Sequence, residues 1–233
     1  MKAKTIVIIG AMEQEISLLK NLMHHPTEEK FGNFLFFRGK LFNKDVILIQ
    51  SGIGKVNAAI ATALAIHQYK PDCIINTGSA GGIGPGLRVG DVVIGTLIAH
   101  HDVDVTAFGY AYGQVPAMRP AFESEEQLVS VARMAAREFK DAKILKGLIV
   151  SGDQFIHTSE QAAKIRERFF GVQAVEMEAA AIAQTCEQFK VPFVIIRAIS
   201  DLADEKASIS FEEFLEQASV NSARMVNSII GSL

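Results

Sequence analysis

The sequence is poor in cysteine and has no spacing typical of a metal site. Its 233 residues include two cysteines, Cys73 and Cys186, and both lie within apolar runs. Disulfide-stabilised secreted domains and structural zinc sites use more cysteines at closer spacing. His100 and His101 are adjacent, and adjacent residues on a strand face opposite ways. We therefore expect free thiols in a reducing compartment and no bound metal.

An excess of positive charge and a long hydrophobic run are also absent. The chain has 23 Lys and Arg against 26 Asp and Glu, a formal net charge of −3. Nucleic-acid and anionic membrane surfaces attract clustered positive charge. No uninterrupted apolar run approaches the roughly 20 residues of a membrane-spanning helix. We expect a cytoplasmic protein that binds neither nucleic acid nor membranes.

Short β-branched runs alternate with amphipathic segments, and 49% of the residues are hydrophobic. This alternation predicts a layered α/β sheet covered by helices on both faces, built as a single domain over residues 1–233. The run 192–199 is the most apolar and is expected at the centre of the sheet. Strands are predicted at 5–9, 33–38, 45–50 (a hairpin with 33–38), 72–76, 91–99, 142–151, 173–176 and 192–199. Helices are predicted at 13–23, 55–69, 124–139, 159–169 (with Ser159 as its cap), 179–189 and 211–230.

Acidic residues follow several of the predicted strands. Ligands of open α/β sheets bind at the carboxyl ends of the strands, where Glu13, Glu178 and Asp201 are found. Each could simply favour the first turn of a helix. Burying three carboxylates at one edge of the sheet costs free energy, however, and proteins rarely do so without a function. Together they therefore indicate a site. Arg197 lies inside the most apolar run and needs a carboxylate partner such as Glu178 if it is buried.

Two glycine-rich segments imitate nucleotide-binding motifs. Residues 77–84 fit the TGxxxGxG spacing of short-chain dehydrogenases, but that motif belongs after the first strand. None of the three tyrosines has a lysine four residues later, so the catalytic pair of that family is absent. Residues 51–55 lack the GxxxxGK[ST] spacing of a phosphate loop. Both segments are also compatible with tight turns and close backbone packing.

Seven short motifs occur in an order that is specific for one family. The chain resembles the 5′-methylthioadenosine/S-adenosylhomocysteine nucleosidases of the nucleoside phosphorylase superfamily over essentially its whole length. The resemblance implies a three-layer α/β/α sandwich with a central mixed, partly barrel-like sheet. It also implies a homodimer that cleaves an adenine–ribose bond by hydrolysis without a cofactor. The motifs are GAMEQE at 10–15, SGIGKV at 51–56, NTGSAGG at 76–82, DVDVTAFGY at 102–110, VSGD at 150–153, VEMEA at 175–179 and RAISD at 197–201.

The resemblance implies roles for the acidic residues of the site. Asp201 would protonate the imidazole nitrogen of adenine, and Glu13 would activate the attacking water. Glu178 would bind the ribose hydroxyls, with Met177 packed on the sugar and Arg197 orienting the carboxylate. Carboxylates suit this chemistry because positive charge builds on the sugar as the glycosidic bond breaks.

The resemblance also implies a set of binding residues. Phe155 would stack on the purine, and the backbone of Ile156 would contact its edge. The loop around Pro116 would reach the pocket of the partner subunit. The sugar and base pocket would be lined by Ser79, Ala80, Gly81 and Ser200, and the 5′-alkylthio pocket by Ile53, Val105, Phe108 and Phe211.

Several alternatives stay open at this point. His157 stands where a small polar residue is expected and Gln154 precedes the purine-binding segment, so futalosine-type or 5′-deoxyadenosine substrates are alternatives. A phosphate-dependent phosphorylase would hold phosphate with arginines, and Arg88 is the arginine nearest to the glycine-rich segment. Glu13 in the first-strand loop would repel phosphate and favours hydrolysis. A purine-binding regulatory module would not need both Glu13 and Asp201.

The proposed acid gives a testable prediction. Replacing Asp201 by Asn removes the donated proton, so turnover should fall by about 10²–10⁴-fold while nucleoside binding is kept. Adenine release and equilibrium binding of 5′-methylthioadenosine measure the two effects. Near-normal turnover in the variant would show that Asp201 is not the acid.

Overall fold

The computed structural model describes residues 3–136 and 142–233. Within them, ten strands and six α-helices form a mixed α/β structure, and no described helix is long and apolar enough to cross a membrane. The strands are β1 (Thr5–Gly10), β2 (His24–Phe31), β3 (Phe34–Leu41), β4 (Lys44–Gln50), β5 (Cys73–Gly82), β6 (Val92–His100), β7 (Phe122–Glu123), β8 (Ile144–Ser151), β9 (Val172–Glu176) and β10 (Phe193–Asp201). The helices are α1 (Glu13–Leu22), α2 (Lys55–Tyr69), α3 (Glu126–Ala135), α4 (Ser159–Arg168), α5 (Ala179–Phe189) and α6 (Ala207–Ser232).

All ten strands belong to one sheet, and part of it closes on itself. The pairings β5–β10, β10–β6, β6–β8, β8–β9 and β9–β5 form a continuous ring of five strands. From β5 the sheet continues outward through β1, β4, β3 and β2. The expected mixed, partly barrel-like sheet is therefore confirmed.

The central strand and the hairpin follow the sequence pattern. Strand β10 runs parallel to β5 and antiparallel to β6, and all nine of its residues are buried. The hairpin joins β3 to β4 through Phe42 and Asn43, which both have positive φ. Positive φ at both central residues is the turn geometry whose twist matches that of paired strands. Both predictions are confirmed.

Helices cover both faces of the sheet because successive residues of its strands point to opposite sides. Ile8 packs in a core with α1, α3 and α6, whereas Val7 packs in a second core with α2 and α5. A third, smaller core joins α4 to β8 and β9. This arrangement places the ends of β1, β5, β9 and β10 beside one cavity, described below.

The structure differs from the sequence-based expectations at several elements. Strand β2 was not predicted, because its sequence HHPTEEKF is polar and mostly exposed on the outermost strand of the sheet. Strand β5 continues to Gly82, so residues 77–82 form a buried strand and not a turn. The cap of α4 is Thr158, whose side chain accepts from Gln161 N at 3.2 Å, and not Ser159. Helix α6 begins four residues earlier than predicted, and the predicted helix 124–139 ends outside the described residues.

Candidate active site

A cavity of about 330 Å³ opens where β1, β5, β9 and β10 end. Its volume falls in the range of small-molecule sites. Eleven of the predicted site residues lie on its wall, and the wall also includes residues that were not predicted. The predicted ones are Ile53, Ser79, Ala80, Gly81, Phe155, Ile156, Met177, Glu178, Ser200, Asp201 and Phe211. Ala11, Met12, Glu15, Gln154, Val175 and Glu176 complete the wall.

The acidic residue that helix α1 contributes to the cavity is Glu15 and not Glu13. Glu13 is exposed and does not line the cavity, whereas Glu15 is buried and does. Two positions along a helix turn the side chain by about 200°, so the two acids lie on nearly opposite sides. The placement of Glu13 in the site is therefore corrected.

Four hydrogen bonds fix the carboxylate of Glu15. One oxygen accepts from Ala11 N at 2.8 Å and from Met12 N at 3.2 Å. The other accepts from Ser79 N at 2.9 Å and from Ser79 Oγ at 3.1 Å. These bonds join the start of α1 to β5 and hold the carboxylate at the cavity wall in one orientation.

Arg197 lies behind the cavity wall and is fully buried among acids. Its guanidinium donates to Glu176 through a very short contact and to Asn76 Oδ1 at 2.7 Å, while Glu178 Oε2 lies 3.5 Å away. The expected pairing with Glu178 is present, but Glu176 is the closer partner. Glu176 also accepts from Ser151 Oγ and from the backbone at the start of α5.

Glycine at position 78 is required by this arrangement. A Cβ atom there would lie 2.1 Å from a guanidinium nitrogen of Arg197 and 2.7 Å from a carboxylate oxygen of Glu15. Both distances are well below van der Waals contact. The glycine in this motif thus makes room for two buried charged side chains, those of Arg197 and Glu15.

The surroundings of Glu178 raise the pKa of its carboxyl group. Burial, followed by the charge of the nearby Glu176, raises the pKa of Glu178 to about 8, although Arg197 opposes the rise. One carboxyl oxygen accepts from Gly54 N at 2.9 Å. Glu178 therefore holds its proton to a higher pH than an exposed glutamate does.

Asp201 lies at the last position of β10, next to a shift in the strand register between Ile199 and Asp201. Such an irregularity re-aims side chains. Burial raises the pKa of Asp201, although hydrogen bonds from Ala203 N and Ser200 Oγ, both at 2.9 Å, act in the opposite direction. A carboxyl group in this environment holds its proton to a higher pH than an exposed aspartate does.

One side of the cavity is apolar and partly open. The rings of Phe155 and Phe211 meet edge to face with centroids 5.7 Å apart. Phe155 is 41% exposed and Ile53 is 50% exposed. His157 does not line the cavity, but its ring stacks beside that of Phe155 and its Nδ1 lies 3.1 Å from Phe155 O.

Several predicted residues do not line this cavity. Phe108 is 82% exposed, Pro116 is exposed and Val105 is half-buried, and all three lie on the segment between β6 and β7. Arg88 is exposed and lies in the loop between β5 and β6. No lysine or arginine is among the described residues of the cavity wall, and residues 3–136 and 142–233 contain no cluster of three or more His, Cys, Asp or Glu side chains that could hold a metal ion.

Glu15 and Glu176 were missed as site residues, although the sequence carries a signal for one of them. Glu15 precedes Ile16 and lies one helical turn before Leu19, and both of these face the core. Glu13 lies one turn before Ser17, which is polar. The acid on the buried face of the helix is therefore Glu15.

Similar proteins have the same fold. The phosphorylase superfamily model matches residues 5–231. The chain is 56% identical over 222 residues, 95% of each chain, to the 5′-methylthioadenosine/S-adenosylhomocysteine nucleosidase of Exiguobacterium sp.. The chain belongs to the 5′-methylthioadenosine/S-adenosylhomocysteine nucleosidase family.

Solved structures of similar chains extend this comparison. The nucleosidase from Neisseria meningitidis, in complex with methylthio-immucillin-A, is 60% identical with a TM-score of 0.98, and the match covers 99% of this chain and 100% of that one. The futalosine hydrolase of Helicobacter pylori is 34% identical with a TM-score of 0.94, covering 99% and 98%. The fold is therefore shared by a 5′-methylthioadenosine/S-adenosylhomocysteine nucleosidase and a futalosine hydrolase.

Proposed function

We propose that this chain hydrolyses the N-glycosidic bond of 5′-methylthioadenosine and S-adenosylhomocysteine, releasing adenine and the 5′-thio-ribose. The observation that carries the proposal is the cavity itself. It has buried acids, Glu15 and Asp201, on its wall and no lysine or arginine among its described lining residues. The membership of the nucleosidase family fixes the substrate class.

Asp201 supplies the proton that the leaving base needs. As the bond between the anomeric carbon and the purine nitrogen breaks, its electron pair moves into the purine, which is a poor leaving group as an anion. A proton delivered to the imidazole nitrogen makes the base leave as neutral adenine. The raised pKa of Asp201 supports this role, because more of the carboxyl group is protonated near neutral pH.

Glu15 takes the role that the sequence resemblance gave to Glu13. A water molecule attacks the anomeric carbon, and the proton that it loses passes to a carboxylate beside it. The ionised group also stabilises the positive charge that develops on the sugar. The four hydrogen bonds to Glu15 support the assignment, since they keep the carboxylate fixed at the cavity wall.

The remaining wall binds the nucleoside. Glu178 bonds the ribose hydroxyls while Met177 packs on the sugar, and Arg197 restrains Glu178 from behind. Phe155 stacks on the purine, and the backbone of Ile156 contacts its edge. The apolar 5′-substituent lies against Ile53 and Phe211. Ser79, Ala80, Gly81 and Ser200 line the rest of the pocket.

Separate replacement of the two acids of α1, Glu13 and Glu15, tests the corrected assignment. Replacing Glu15 by Gln keeps the shape of the side chain but removes the base, so kcat should fall by about 10²-fold or more. Replacing Glu13 by Gln changes an exposed side chain, and kcat should stay within about twofold. Initial rates of adenine release measure both. A large loss in the Glu13 variant and none in the Glu15 variant would contradict the assignment.

Water, and not phosphate, is the expected nucleophile. Arg88 is exposed away from the cavity, and the guanidinium of Arg197 is already bonded to Glu176. We predict equal rates of adenine release from 5′-methylthioadenosine with and without added phosphate. A strict phosphate requirement would instead identify a phosphorylase. The same assay with S-adenosylhomocysteine, 5′-deoxyadenosine and futalosine distinguishes the substrate alternatives.

A homodimer and a cytoplasmic location are part of the same proposal. Both cysteines are free and buried, which suits a reducing compartment. Phe108 and Pro116 are exposed on a segment beside a groove between α2 and α5 that carries the exposed Val56 and Phe189. An exposed apolar patch of this kind is typical of an interface. A partner's Val105–Pro116 segment would cover the open 5′ side of the cavity.

The dimer proposal predicts a mass of twice 25.3 kDa in sedimentation equilibrium. Replacing Phe108 by Ser should raise KM for 5′-methylthioadenosine by about tenfold, because the apolar cover of the 5′ group is lost. Binding of adenine alone, which has no 5′ group, should be unchanged. A fully active monomer would contradict the proposal.

A further inference from the structure

Lys55, Asp102 and Asp153 form a cluster just outside the cavity, and no step above uses it. Lys55 is the first residue of α2, Asp102 follows β6 and Asp153 follows β8. Lys55 Nζ donates to Asp102 Oδ1 at 2.6 Å, and both side chains are less than one-fifth exposed. None of the three lines the cavity.

Backbone hydrogen bonds tie the cluster together. Asp153 Oδ1 accepts from Lys55 N at 2.8 Å, and Asp102 Oδ2 accepts from Asp153 N at 3.0 Å. The N-cap of α2 is Gly54, which has no side chain to satisfy the first amide groups of the helix. Asp153 therefore caps α2 from a loop 98 residues away in sequence.

The cluster is directly connected to two parts of the binding site. Gly54, next to Lys55, donates its N–H to Glu178 Oε1 at 2.9 Å. Gln154 and Phe155, next to Asp153, lie on the cavity wall. A shift of either loop would move a group that contacts the sugar or the base.

The carboxylate of Asp102 is held in its charged form beside Lys55. Burial acts to raise the pKa of Asp102, but the hydrogen bonds from Lys55 and from Asp153 N outweigh it and leave the pKa below its usual range. His100 and His101 flank the pair, and burial lowers the pKa of both imidazoles. Both histidines are thus neutral near pH 7 and do not compete with Lys55 for the carboxylate.

We propose that Lys55, Asp102 and Asp153 are positioning residues that set the distance between the ribose-binding and purine-binding sides of the cavity. This inference rests on the proposed nucleosidase function. Lys55 and Asp102 fix the start of α2, and Asp153 joins it to the loop that carries Phe155. The nucleoside then meets both sides already in place, which lowers the ordering cost of binding.

The test compares Asp153→Ala with Asp153→Asn. The alanine variant leaves Lys55 N without its acceptor, and KM for 5′-methylthioadenosine should rise by about tenfold or more with a smaller change in kcat. Asparagine keeps an oxygen that can accept this bond, so KM should return to within about threefold of the wild-type value. Lys55→Met should also raise KM, and it keeps the test valid if the alanine variant does not fold.

The matched control is Glu160→Gln, which removes one charge from the exposed pair of Lys164 and Glu160. Its KM should equal that of the wild type. A purely structural role of the cluster would lower the fraction of folded enzyme, so kcat would fall at unchanged KM. That result in both Asp153→Ala and Lys55→Met would overturn the proposal.

Binding without turnover separates this inference from the proposed function. The same variants are combined with Asp201→Asn, and the Kd for 5′-methylthioadenosine is measured by calorimetry. An approximately tenfold weaker Kd in the Asp153→Ala and Lys55→Met combinations supports the positioning role, even if the wild type releases no adenine and the proposed reaction fails. Unchanged Kd values overturn the positioning role, whatever the wild-type activity.

Discussion

The site depends on one buried cation. The guanidinium of Arg197 has no access to water, and its charge is balanced by Glu176 at the end of β9 and by Glu178 at the start of α5. Removing one partner of a buried pair costs about 3–5 kcal/mol, because the other charge is left without compensation. The pair therefore fixes how the ends of β5, β9 and β10 meet. Burial, together with the charge of Glu176, raises the pKa of Glu178 in spite of this cation.

Much of the architecture could be predicted because burial leaves simple patterns in a sequence. An uninterrupted apolar run such as 193–196 is stable only between covered faces, and β10 is indeed central. The hairpin of β3 and β4 was predicted from two apolar runs around Asn43. Most of the pocket residues that the family resemblance implies are on the cavity wall, where the carboxyl ends of parallel strands meet. The resemblance to a family supplied the barrel-like closure, which no local pattern specifies.

The remaining features depend on long-range contacts. Strand β2 is polar, and its partner β3 supplies the hydrogen bonds that make it a strand. Residues 77–82 resemble a turn in sequence but form part of a strand. Gly78 has no side chain there because Arg197, 119 positions later in the sequence, occupies the space. Glu13 and Glu15 differ only in which side of α1 they occupy. Proximity to the strand end favours Glu13 as the site residue. The helical periodicity, which decides which side chains are buried, favours Glu15.

The tight contact at Gly78 also restricts how this site can change during evolution. A larger residue at position 78 is compatible with the fold only if both Arg197 and Glu15 give way. A shorter residue at position 197 would leave Glu176 and Glu178 without their counter-ion. Positions 15, 78, 176 and 197 are therefore coupled through direct contacts, and we expect a single change at one of them to be harmful. Substitutions on the apolar 5′ side of the cavity can change substrate preference. Substitutions in the acidic centre are restricted, because no side chain fits at position 78.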